Sequence, residues 1–194
     1  LKHPTEGMIL PKLFLNIAYG YNSIEDAEKG ADFIKENKQY LCGNDTYGCL
    51  NAESLYGILF IYYEAYENEE ALELINIIIL QSEEELVNVG NTLVDKIQPY
   101  YRGGMIYMKL GQFDKSIEYY TNALNISIAN EPDDYYWHVI FYMRLGLVHY
   151  YMADYQKASN YYLEAFELSG NVDKSTAMKS ICSYGYITEL IGES

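Results

Sequence analysis

In the second half of the chain, small residues stand in pairs seven apart, and the pairs recur: Gly104 with Gly111, Gly146 with Ala153, Gly185 with Gly192. Successive pairs start 42 and 39 residues apart. The residues around them keep step. After the second small residue come Phe113 and Ser116 in one copy and Tyr155 and Ala158 in the next, followed by Tyr119-Tyr120 and Tyr161-Tyr162, then by Ala123 and Ala165. Self-similarity at a period of about forty residues is the signature of stacked helix hairpins, each burying its apolar face only against its neighbours.

The residue types have physical reasons for their places. A glycine in mid-helix costs roughly 1 kcal/mol relative to alanine, so Gly104, Gly146 and Gly185 mark points where a neighbouring helix comes close. Gly111 stops the first helix by taking up the left-handed conformation, and Asp114 or Asp154 just beyond helps to start the second. In that second helix Ile117, Tyr120, Ala123 and Leu124 have the three-four spacing of one apolar face, with Lys115, Glu118 and Asn122 opposite.

On these residues the chain resembles the tetratricopeptide repeat family. One copy of the family's pattern runs through Tyr100, Gly104, Tyr107, Gly111, Phe113, Ser116, Tyr120 and Ala123. A second runs through Tyr142, Leu145, Gly146, Ala153, Tyr155, Ala158, Tyr162 and Ala165, and a third, Tyr184, Gly185, Ile191 and Gly192, covers a first helix alone. The terminal Pro of the pattern is missing, and the period exceeds the usual value of about 34. The excess is assigned to longer first helices, such as 133–152 after Pro132. Such longer repeats resemble those of bacterial signalling proteins, including peptide-pheromone receptors and sensor regions attached to transcription-factor or cyclase domains. The resemblance implies an all-α fold, a right-handed α-α superhelix of stacked hairpins with about nine helices and no strand.

No break in composition divides the chain, so a single domain over 1–194 is expected. Within it, 1–45 reads as a degenerate first hairpin with Ser23 as a helix cap, followed by the loop CGNDTYG. The segment 46–82 reads as a degenerate repeat with the stripe Ala71, Leu74, Ile75 and Ile78. Repeats follow at 84–130 and 132–170, and 173–194 is the first helix of an incomplete repeat. In the earlier of these repeats Leu86, Val89, Leu93, Val94 and Ile97 keep helical phase until Pro99, which is expected to kink or split the run.

The formal charge of −15 repels phosphate backbones and anionic lipid, which argues against nucleic acid or a membrane surface as partner. The acidic stretch that includes Glu67, Glu69, Glu70, Glu73 and 83–85 reads as a solvated helix face in preference to an electrostatic patch. Cys42, Cys49 and Cys182 form an odd set without zinc spacing, as in a reduced cytoplasmic protein. With no signal peptide in view, the glycosylation triplets at Asn44 and Asn125 read as chance. The initial Leu1 suggests a piece of a longer protein.

No constellation for catalysis, metal or cofactor binding is visible, and a non-enzyme is expected. His138 and His149 share a helix face but stand about 16 Å apart along its axis, too far to share a metal. Gly103-Gly104 lacks the Lys-Ser/Thr of a phosphate-binding loop. The 23 tyrosines include many adjacent pairs. In one reading Tyr120 and Tyr162 fill the core and their partners carpet the exterior; in another, Tyr101 and Tyr151 line the inner wall for peptide recognition.

Arg102 and Arg144 occupy one register, two residues before the mid-helix glycine. In carboxylate-binding members of the family this position faces the concave groove, so the resemblance implies that the two arginines, with Lys109, hold a carboxylate or an acidic side chain. The alternative is that they pair with Asp133 or Glu118. The Asn that clamp members place after the glycine is replaced by Met105 and Leu147, which disfavours chaperone-tail binding. The expected function is therefore a protein- or peptide-binding scaffold, the sensor or regulatory region of a cytoplasmic bacterial signalling protein. Its groove would use Tyr101, Arg102, Met105, Lys109, Met143, Arg144, Leu147 and Tyr151. The alternative is a self-assembly module of a larger regulator, a homo-oligomer formed through the final helix, whose Ala177, Ile181, Tyr184, Ile187, Leu190 and Ile191 lack a partner helix.

Overall fold

The computed structural model describes residues 24–37, 50, 52–83 and 92–192. Among them are eight α-helices, a short 3-10 turn and no strand, the all-α class of helix hairpins expected from the repeat. The helices are α1 (Ile24–Asn37), α2 (Ala52–Glu64), α3 (Asn68–Glu83), α4 (Leu93–Lys109), α5 (Phe113–Asn130), α6 (Tyr135–Tyr151), α7 (Tyr155–Leu168) and α8 (Lys174–Gly192). The Ser23 cap, the CGNDTYG loop, Cys42, Cys49, Leu86, Val89 and any helix before α1 lie outside the described residues.

The chain divides into two compact units, Leu1–Asn91 and Thr92–Ser194. In the first, α1 packs on α2 and α2 on α3, around the buried side chains of Ala31, Ile34, Leu55, Ile58, Leu74, Ile75 and Ile78. In the second, each of α4 to α8 packs on the next, and α8 also touches α6. Its first helix opens on a capping box: Asp95 N–H donates to the Thr92 hydroxyl, while the Asp95 carboxylate accepts from Thr92 N–H, both at 3.2 Å. Pro99 does not split α4. It lies inside the helix with its ring buried, giving up one backbone hydrogen bond to fill the core.

Three hairpin corners are built alike. Tyr66, Gly111 and Ala153 take left-handed φ values of 59°, 70° and 58°. The next residue's N–H then reaches back to a carbonyl five residues earlier: Glu67 to Tyr62, Gln112 to Tyr107 and Asp154 to His149, all at 2.9 Å. This is the Schellman closure of a helix end, for which glycine is the cheapest residue. The degenerate repeat shares it, with Tyr66 standing where Gly111 stands. Five residues past each corner sits a fully buried small residue, Ala71, Ser116 or Ala158. Asp154 caps α7 by accepting from Lys157 N–H at 3.3 Å. Asp114 does not cap; Gln112 holds that position in α5, and Asp114 lies in the first turn, where its charge meets the positive end of the helix.

Gly104 and Gly146, but not Gly185, are the contact points of their hairpins. A Cβ added to Gly104 would lie 2.6 Å from the ring of Tyr120, and one added to Gly146 would lie 2.7 Å from the ring of Tyr162. Each ring therefore rests on bare backbone. Ser116 locks the first of these crossings by donating to the Gly104 carbonyl at 2.8 Å. In the first unit the matching register positions hold Leu59 and Ile75, both buried, two aliphatic side chains in place of a ring and a gap. The partners of Tyr120 and Tyr162 do not carpet the exterior. Tyr119 is half-buried between Tyr100 and Tyr107, at 5.8 and 5.1 Å between ring centroids, and Tyr161 packs on Tyr142 and His149.

Gly146→Ala should therefore lower stability by about 1–3 kcal/mol, the usual range for overpacking a filled core. Gly185, in the same register of α8, has nothing within 4 Å, so Gly185→Ala should be neutral or raise stability by up to about 1 kcal/mol through helix propensity. Urea unfolding of the two variants checks the contrast.

Candidate functional site

Counted from the mid-helix glycine, the residues six, three and two before it and one after it fall at the i, i+3, i+4, i+7 spacing of one helix face. In α6 these are Ile140, Met143, Arg144 and Leu147; in α8 the first three are Lys179, Cys182 and Ser183. Those seven residues, with Tyr136 and Thr176 a turn earlier on the same helices, Tyr101 from α4 and Tyr162 from α7, line a hollow of ≈ 590 Å³. It lies entirely within the second unit. The first helices of three successive hairpins make its wall, and the second helices contribute only Tyr162, the ring seated on Gly146.

The hollow is cationic in an acidic chain. Its lining includes Arg144 and Lys179 and no Asp or Glu, although the chain holds 28 acids against 13 Lys and Arg. Helix α6, flanked by α5, α7 and α8, is apolar on nearly every side, and Arg144 is the only Lys, Arg, Asp or Glu in it. Arg144 turns to neither Asp133 nor Glu118. Its Nη2 donates to the Tyr101 hydroxyl at 2.7 Å, and its guanidinium carbon lies 5.4 Å from the centre of that ring. Tyr101 is held in turn by edge contacts with Trp137 and Phe141, at 6.3 and 6.1 Å. A hydroxyl and a π face orient the guanidinium without cancelling its charge.

Of the residues expected at the groove, Tyr101, Met143, Arg144 and Leu147 come together around the hollow. The other four lie elsewhere on α4 and α6. Met105 packs against the core cluster of Ile97, Leu124 and Leu145; Arg102 is half-buried on α4; Lys109 and Tyr151 are exposed at the last residues of their helices. Sequence reasoning missed Tyr136, Ile140, Tyr162, Thr176, Lys179, Cys182 and Ser183. A signal for part of this set was present, because Ser183 stands two residues before Gly185, the register of Arg102 and Arg144.

The geometry has relatives. Residues 97–170 match the tetratricopeptide repeat family. That span runs from within α4 to the 3-10 turn after α7 and takes in two hairpins. Among solved structures, the chain is similar to the apo form of RapI, at 15% identity and a TM-score of 0.77, over 96% of this chain and 50% of that one. It thus spans half the length of RapI. It is also similar to a kinesin light chain from Podosopora anserina with nearly identical TPR-like repeats, at 12% identity and a TM-score of 0.70 over 100% of this chain and 90% of that one. A third likeness is to BtubC of P. vanneervenii, at 14% identity and a TM-score of 0.62 over 96% and 82%. Identities this low show the shared repeat fold alone. A comparison with curated protein sequences finds no match. Among the described residues no helix is long and apolar enough to cross a membrane.

His138 and His149 are both buried in α6, away from the hollow, and the described residues contain no His, Cys, Asp and Glu group suited to a metal. His149 stacks on Tyr161, with ring centroids 5.4 Å apart, and its Nδ1 lies 3.7 Å from Asp154 Oδ2. Burial holds its pKa below the ordinary value of 6.5; Asp154 opposes that shift and Lys157 adds to it. Below the ordinary value the unfolded chain takes up a proton that the folded chain refuses, so the stability tied to a neutral His149 is complete above that pH and declines beneath it. Urea midpoints should therefore fall from about pH 7.5 to about pH 5 more steeply in the unaltered chain than in His149→Phe, where this linkage is gone.

Proposed function

We propose that the hollow of the second unit is the binding site of a peptide or an extended protein segment that carries an acidic group. The observation that supports this reading is a lining with two cations and no acid, set among aromatic and aliphatic side chains, in a chain of charge −15. Tyr101, Tyr136, Ile140, Met143 and Leu147 would take apolar side chains. Arg144 would exchange its bond to the Tyr101 hydroxyl for a carboxylate, a stronger charge-assisted pairing, while Lys179 acts from α8. Arg102, Met105, Lys109 and Tyr151 belong to this reading as flanks that a longer ligand would reach.

The chain would then act as a sensor or regulatory region, in a cytoplasmic bacterial signalling protein, passing occupancy of the hollow to whatever it is joined with. The longer repeats support that context, and the RapI likeness supports the scaffold. No residue of the hollow forms a nucleophile with a base, so the proposal is recognition without turnover.

The test is fluorescence anisotropy with a library of short labelled peptides, acidic sequences set against their amide counterparts. Acidic members with aromatic or aliphatic neighbours should bind best, more weakly as salt rises. Arg144→Ala with Lys179→Ala, folded by circular dichroism, should weaken binding by about tenfold or more, the usual loss when a charged pair inside a site is broken. Equal binding by that variant, or equal binding of the amides, would remove the assignment.

A further inference from the structure

Three residues before the mid-helix glycine, α4, α6 and α8 carry Tyr101, Met143 and Cys182, and all three line the hollow. Met143 keeps part of its surface open although α5, α7 and α8 flank α6, so this register faces the hollow within the stack and not only at α8. Cys182 is a free, exposed thiol. Lys179 stands one turn earlier on the same face of α8, where residues three apart have Cβ atoms about 5–6 Å from each other, and Arg144 enters the same hollow from α6. Elsewhere Lys35 is matched by Glu67 and Glu70 at 2.8 and 3.0 Å, and Lys157 by Asp154 at 3.0 Å. Among the described residues Arg144 and Lys179 pair with no acid. The hollow also holds a donor without an acceptor. Tyr162 lines it from α7 and is only 6% exposed, yet its hydroxyl makes no hydrogen bond among the described residues. Burial, with lesser contributions from Tyr150 and Tyr151, pushes its pKa up to about 12 against the lowering effect of Arg144, so the phenol keeps its proton.

We propose that Cys182 is a modification site, at which the hollow captures a small anionic disulfide and retains one half of it as a mixed disulfide. The Cys182 thiolate attacks one sulfur of the incoming S–S bond. A new S–S bond forms to Cys182 as the old one breaks, and the departing sulfur leaves as a thiolate that takes up the proton Cys182 gave to solvent. The Cys182 sulfur is oxidised and the departing sulfur reduced, so the disulfide is the only oxidant the step consumes. Carboxylates of the retained half meet Arg144 and Lys179, and the Tyr162 hydroxyl supplies a neutral donor. A hollow of ≈ 590 Å³ has the size of a small-molecule site. The event is stoichiometric, and a reducing thiol reverses it by the same exchange. A hollow so filled carries acid of its own and excludes an acidic peptide; that consequence rests on the peptide-binding reading, whereas capture at Cys182 does not.

The probes are oxidised glutathione, an anionic disulfide, and cystamine, a cationic one, each reacted with the unaltered chain. Mass mapping reads modification at Cys182 apart from Cys42 and Cys49. Each rate is divided by that of the same disulfide with N-acetylcysteinamide, a neutral free thiol, which removes intrinsic reactivity. The net charge of −15 favours the cation, whereas the lining of the hollow favours the anion. Oxidised glutathione should lead at Cys182 by about tenfold or more at low salt, the lower end of the range for a charged cleft, and the lead should shrink as salt rises. In Arg144→Ala with Lys179→Ala, folded by circular dichroism, the order should reverse. The glutathione-modified chain should bind the acidic peptides about tenfold more weakly, while Cys182→Ser treated alike should keep its affinity. If no acidic peptide binds the unaltered chain, the peptide-binding reading falls and the charge preference at Cys182 still decides this one. Equal normalised rates, a lead for cystamine in the unaltered chain, or a lead for glutathione that survives the double substitution would overturn the proposal.

Discussion

The second unit depends on a ring laid against bare backbone. With no side chain on Gly104 or Gly146, Tyr120 and Tyr162 come within what would be 2.6–2.7 Å of a Cβ, closer than any substituted residue tolerates. That contact sets how near the two helices of a hairpin approach and how they are rotated about their axes. Once it is made, the remaining positions follow: Ser116 reaches the Gly104 carbonyl, Ala123 and Ala165 become fully buried, and the corner closes through a left-handed residue. The intrinsic weakness of a mid-helix glycine is offset by the area of a tyrosine ring removed from water.

Fixing the rotation of each first helix assigns its faces. In α6 one face, with Tyr142 and Gly146, meets α7; another, with Phe141, Leu145 and Val148, joins the core shared with α4 and α5; the third, with Ile140, Met143, Arg144 and Leu147, opens on the hollow. A helix so enclosed has room for little charge, and its one guanidinium falls on the open face. Acids of the second unit such as Asp114, Glu118 and Asp154 sit instead on second helices and corners. A net negative protein thereby lines its hollow with two cations, the feature on which the proposed acidic ligand depends.

Much of this was legible from residues. The spacing of Gly104, Gly111, Gly146 and Ala153 located both corners and both crossings, because backbone conformation and close approach each demand a small residue. The degenerate repeat was harder to read, since Tyr66 occupies a left-handed corner without being glycine and Leu59 with Ile75 replaces glycine with tyrosine; geometry survives there in different side chains. For the hollow, register placed Met143, Arg144 and Leu147 on one face, but register alone does not say how far along the stack a cavity extends. Arg102 and Met105 share that register yet lie outside the hollow, whereas Lys179 and Ser183 complete it from α8. Pairings were invisible too: no pattern foretells that Arg144 chooses a tyrosine hydroxyl over an acid.

The most direct test of the nesting is a double-mutant cycle between Gly146 and Tyr162, with Gly146→Ala, Tyr162→Leu and their combination measured by denaturant unfolding. If the ring rests on the glycine, replacing it with leucine makes room for the added methyl. The double variant should then be more stable than the sum of the single effects by about 1 kcal/mol or more. Effects that simply add, to within about 0.3–0.5 kcal/mol, would contradict the account.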